Sequence, residues 1–70
     1  MTTLFAKTKE DAINYLKSQN LFPLYDAYDH VGCDCGEAAF VDGIDENNEP
    51  QKRIIICDIC YDNVPYHDRI

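Results

Sequence analysis

Apolar residues fall first into a helical rhythm and then into two strand-like runs. Over residues 8–20, Ala12, Ile13, Tyr15 and Leu16 gather on one side of a 3.6-residue repeat, while Lys9, Asn14, Lys17 and Ser18 stay on the wet side. Thr8 stands where an N-cap is wanted, and Glu10 and Asp11 put carboxylates in the first turn. Asn20 suits the position just past the C-cap, and Pro23 prevents continuation. The pattern predicts one amphipathic helix over residues 8–20, packed on its own domain. Residues 37–42 and 52–57 suit two strands, joined by a polar loop from Gly43 to Gln51. The β-branched run Ile54-Ile55-Ile56 predicts a strand covered on both faces. The helix would be one cover; the Leu4-Phe5-Ala6 segment, or the same face of a second copy, would be the other. Residues 21–32 read as a connector, with a short helix near 24–29 as the alternative, and residues 61–70 as a C-terminal tail. The expectation is a single domain over 1–70, a small zinc-bound α+β fold with its helix packed on a β-hairpin.

Seventy residues allow only a small core, so a fold of this size wants a staple: disulfides, a metal or oligomerisation. Four cysteines are the candidates. Disulfides need an oxidising compartment. The first residues run straight into Lys9-Glu10-Asp11 with no apolar leader, and no apolar run is long enough to span a membrane. Thiolates in a reducing cytoplasm are the expected state, with two disulfides as the alternative.

The cysteine pattern is Cys33-x-Cys35-Gly36, then 21 intervening residues from Cys35, then Cys57-x-x-Cys60. Tetrahedral Zn²⁺ takes four sulfurs at about 2.3 Å, and close-spaced pairs in tight turns deliver two each. Gly36 suits such a turn, where a positive φ is often required. One structural Zn²⁺ held by Cys33, Cys35, Cys57 and Cys60 is the expectation, with iron in the same S₄ geometry as an alternative. Over residues 33–60 the chain resembles zinc-ribbon and treble-clef modules, which implies a metal-bound hairpin. The first pair is tighter than those modules usually have, and few residues remain after Cys60 for a long C-terminal helix. His30 or His67 could replace a cysteine, as in Cys₃His sites. Cys57-Asp58-Ile59-Cys60 also has the spacing of a redox motif, although no βαβ pattern is visible around it and Asp58 would raise the thiol pKa. The acidic loop from Asp42 to Glu49 lacks EF-hand spacing and reads as a solvated tip.

Thirteen acidic residues against six basic ones give a formal charge of −7. Four thiolates with one Zn²⁺ would make it more negative still. Direct binding to nucleic acid or to an anionic membrane is therefore not expected. No catalytic set emerges, and four cysteines would close the zinc to substrate; enzymatic activity is not expected. Tyrosines alternate with acids at Tyr25-Asp26, Tyr28-Asp29, Tyr61-Asp62 and Tyr66-His67-Asp68. Tyrosine offers contact area at low entropic cost. The composition points to a binding module for a protein with a basic surface, including nucleic-acid-binding enzymes, in the manner of small accessory inhibitors of phages and mobile elements. Tyr25, Asp26, Tyr28 and Asp29 would form one patch, and Asp42, Asp45, Glu46 and Glu49 a second. A monomer or small homo-oligomer is expected. The alternatives are a structural subunit of a larger assembly and a thiol-redox or metal-handling protein.

Overall fold

Ile54, Ile55 and Ile56 lie in an inner strand of a four-stranded mixed sheet. They are seen in a computed structural model, which describes the backbone of residues 2–33 and 36–70 and the side chains of residues 2–24 and 39–70. The elements are β1 (Thr2–Ala6), α1 (Lys9–Ser18), β2 (Phe22–Cys33), β3 (Gly36–Ile44), β4 (Pro50–Ile56), α2 (Asp58–Asn63) and a 3₁₀ turn, η1 (Tyr66–Asp68). The sheet order is β1-β4-β3-β2; β1 runs parallel to β4, and the other neighbours are antiparallel. The fold is small α+β, as expected.

Helix α1 is built by the signals read from its sequence. Thr8 Oγ1 accepts the Asp11 N–H at 3.1 Å. At the other end Asn20 takes φ 60°, the Leu21 N–H reaches Leu16 O and the Asn20 N–H reaches Lys17 O. That pair of bonds is a Schellman closure, which needs a left-handed residue at this position. The helix buries Ala12 and Leu16 against Ala6, Val41 and Ile54, with Leu4, Ile13, Tyr15, Leu21, Ile56 and Ile70 packed around them. Burying Leu16, Val41 and Ile54 contributes on the order of 1.5–3 kcal/mol each.

Successive residues of β4 face opposite ways, so Ile54 meets α1 while Ile55 joins Phe5, Cys57 and Cys60 on the other face. The triple isoleucine is thus covered on both sides. The second cover differs from expectation: Leu4-Phe5-Ala6 is part of the sheet itself, and Cys57 and Cys60, where α2 begins, lie on the far face instead.

Two further segments depart from the sequence reading. Residues 21–32, expected as a connector, are mostly β2, which pairs with β3 from Phe22↔Ile44 to Cys33↔Gly36. Its register jumps between Asp26 and Val31, whose partners Phe40 and Ala38 are nearly adjacent, so several residues of β2 bulge past Ala39. The tail expected over 61–70 continues α2 and adds η1. Because β1 parallels β4, and β3 opposes both β4 and β2, β1 and β2 are parallel and joined through α1. A βαβ crossover is therefore present over β1, α1 and β2, with β4 and β3 inserted between its strands; the Cys57–Cys60 turn lies outside it along the chain.

Candidate metal centre

Cys57 sits where β4 ends and α2 begins. Its backbone is extended (φ −155°, ψ 110°), it caps α2, and its Sγ accepts the Cys60 N–H at 3.5 Å. The Cys57 N–H is bonded to Ala6 O, which fixes the turn against β1. The Tyr61 N–H donates to Cys57 O at 2.8 Å and the Val64 N–H to Cys60 O at 3.0 Å, closing the short helix. Both cysteines are buried beside Ile55 and Phe5. Closely spaced cysteine sulfurs are soft donors, and a positive ion is what would make buried thiolates tolerable. The chemistry of this donor pair fits a soft metal ion.

Of the other pair, Cys33 ends β2, which pairs with β3. Ala39 pairs with Ile56, so Gly36, Glu37 and Ala38 continue past the end of β4 in the direction in which Cys57 follows Ile56. Cys33 pairs with Gly36 across that hairpin end. The topology thus brings the backbone of Cys33 to the same end of the sheet as Cys57 and Cys60. The Cys33 side chain and all of Cys35 lie outside the described residues. Among the described residues, no group of three or more His, Cys, Asp or Glu side chains is gathered.

His67 is exposed, with Nε2 3.7 Å from the Asp68 carboxylate. The His30 side chain lies outside the described residues.

The two acidic patches fare differently. Tyr25, Asp26, Tyr28 and Asp29 fall within β2, and their side chains lie outside those described. Asp42 is committed elsewhere: it faces Arg53 across β3 and β4 and receives Nε at 2.8 Å and Nη2 at 3.1 Å. The Arg53 guanidinium also stacks 4.1 Å over the Phe40 ring. Asp45 organises its own loop: Oδ1 accepts the N–H groups of Asn47 and Glu49, and Oδ2 accepts Gln51 Nε2 at 2.7 Å. The Glu49 N–H foremost holds its pKa below the usual aspartate value; desolvation opposes it, and the Gln51 amide and the Asn47 N–H add to the lowering. Glu46 and Glu49 are exposed. Of the second patch, these two are the carboxylates left pointing to solvent without a structural task of this kind.

The sequence reading missed Arg69. Its guanidinium bonds Val64 O and Asp62 O and lies over the Tyr61 and Tyr66 rings. Two of the tyrosines read as interface residues therefore flank an internal cation, although Tyr66 remains 86% exposed. No helix among the described residues is long and apolar enough to cross a membrane. Comparison with protein-family models, curated proteins and solved structures finds no match to this chain.

Proposed function

We propose that this chain is an acidic protein-binding module whose fold is stapled by one structural Zn²⁺ on Cys33, Cys35, Cys57 and Cys60, and that its partner presents a basic surface. The observation that carries the metal reading is the Cys57–Cys60 turn, buried on the sheet face opposite α1, with the Cys33 end of the β2–β3 hairpin brought to the same end of the sheet. Among the described residues that face carries the six-residue α2 rather than a long helix, and a metal would add cohesion there. The partner reading rests on the charge of −7 and on exposed Glu46 and Glu49 at the β3–β4 loop. Opposite charge steers association and makes it salt-sensitive.

Native mass spectrometry of protein purified under reducing conditions tests the metal. One Zn²⁺ per chain, lost on substituting serine at Cys33, Cys35, Cys57 or Cys60, is the expected result. A metal-free folded protein would sink it. One observation favours a second reading, thiol-redox chemistry: Cys57 caps a helix and accepts the Cys60 N–H, an arrangement that also suits a reactive pair. Rapid alkylation of one thiol in the metal-replete protein would decide for it.

A further inference from the structure

The two edges of the sheet are protected by different means. β2 carries Pro23, the bulge after Asp26, and two aspartates along its length. A missing N–H, a bulge and like charge all discourage another strand from pairing there. β1 has none of these devices: Thr2–Ala6 contains no charge, proline or irregularity. Ala6 O points toward β4, where it accepts the Cys57 N–H. Phe5, one residue earlier, therefore turns its carbonyl to the outer edge. There Ile70 N donates to it at 2.9 Å, and Arg69 forms a parallel bridge with Phe5.

The contacts that hold these two residues in place are numerous beside the single hydrogen bond recorded from them to the edge. Arg69 donates to Val64 O at 3.2 Å and to Asp62 O at 3.1 Å, between the rings of Tyr61 and Tyr66. The Tyr61 hydroxyl donates to Ile70 O at 2.7 Å, and the Ile70 side chain packs on the α1 core. Lys7, just past β1, reaches Asp62 at 3.8 Å and the Tyr61 ring.

We propose that Arg69–Ile70 form a latch over the outer edge of β1, and that releasing it opens β1 to antiparallel pairing with β1 of a second copy. A second copy is the fitting occupant because a strand paired with its own image is self-complementary about a twofold axis. It also fits because β1 is uncharged in a chain of charge −7, so pairing there brings no like charges face to face. The latch hangs from α2, whose first turn is the Cys57–Cys60 turn, so loss of the metal loosens it. That last link alone rests on the metal reading above.

The test uses the full chain, with sedimentation over micromolar to millimolar concentration and amide exchange by NMR. Arg69→Ala should expose the Ile70 N–H to exchange and tighten dimerisation more than tenfold over the native chain, about 1.4 kcal/mol. Thr3 shares the outer edge with Phe5, so adding Thr3→Pro removes an outward N–H without touching the β4 ladder and should restore the monomer. Tyr61→Phe, which deletes one hydroxyl, should give the same shift more weakly and serves if Arg69→Ala does not fold. A folded variant with an exchanging Ile70 N–H that stays monomeric overturns the proposal, and so does a dimer indifferent to Thr3→Pro. Zinc chelation reads the link separately. If Arg69→Ala dimerises but chelation leaves the Ile70 N–H protected, the latch stands and its coupling to the cysteine turn falls. If chelation deprotects Ile70, the coupling holds.

Discussion

Leu16 of α1 rests directly on Gly43 of β3: a Cβ on Gly43 would stand 2.5 Å from Leu16 Cδ2, 3.0 Å from Leu21 Cδ1 and 3.2 Å from Leu21 Cβ. Leu16 and Leu21 are the two residues joined by the long bond of the α1 closure, so the helix end and the sheet meet at one glycine. The helix can approach this closely only because β3 presents no side chain there.

Gly43→Ala should therefore cost stability. Leu16 is fully buried and cannot swing aside freely, and overpacking of this kind costs about 1–3 kcal/mol. Chemical denaturation would show a lower midpoint with an unchanged slope. A midpoint equal to that of the native protein would mean that α1 does not sit where it is described.

Asp42 and Arg53 are expected to act on stability rather than on partner binding. The Asp42 side chain is 14% and the Arg53 side chain 32% exposed, between a surface pair and a buried one, so Asp42→Asn should cost about 1–2 kcal/mol. A double-mutant cycle with Arg53→Met isolates the pairwise part. Charge reversal at Glu46 and Glu49 should leave the melting temperature nearly unchanged while weakening association with a basic partner of the kind proposed. The same reversal at Asp42 would confuse the two effects.

Asp45 predicts an acid-side pH dependence. Its folded pKa lies below its unfolded value, mainly through the Glu49 N–H. The stabilisation is thus complete above the ordinary aspartate pKa and lost as pH falls through the lowered folded value. Asp45→Asn keeps an acceptor for the two backbone N–H groups but cannot titrate, so the difference from the native protein should vanish toward strongly acid pH. A difference that persisted unchanged at low pH would assign the loop's order to something other than the carboxylate charge.

If the cysteines hold a metal as proposed, removing it should strip the two faces of the sheet unequally. Among the described residues, the α1 face holds Ala6, Ala12, Leu16, Val41 and Ile54 without a cysteine, whereas the opposite cluster is Ile55, Cys57 and Cys60 with Phe5 against it. After chelation, the Tyr61 and Val64 amides should exchange faster by more than tenfold, and the Ala12 and Leu21 amides by much less. Equal loss on both faces would show that the metal holds the whole domain. Equal retention would remove the metal from the fold altogether.

Much of the architecture was legible in the chain because its signals are local. Thr8 and Asn20 bracket a helix through bonds to residues a few positions away, and the α1 bounds follow them closely. The strands expected over 37–42 and 52–57 correspond to β3 and β4, since β-branched runs around a polar loop already define a hairpin. The Cys57-x-x-Cys60 turn was visible from spacing alone.

What the chain could not announce was decided by partners distant in sequence. β1 becomes a strand only because Thr2 to Ala6 align with Lys52 to Ile56, and a parallel pairing between the two ends of a chain leaves no local periodicity to read. β2 was hidden for a different reason: Pro23 and the bulge break the alternation that marks a strand, and an edge position lets aspartates remain. Asp42 looked like a loop carboxylate until β4 set Arg53 opposite it, and Arg69 had no visible role until α2 folded back to offer the carbonyls of Asp62 and Val64. Capping, turn chemistry and ligand spacing are properties of neighbours along the chain. Sheet order, the occupancy of each face and the pairing of each charge depend on which distant segments meet, and tertiary packing alone settles that.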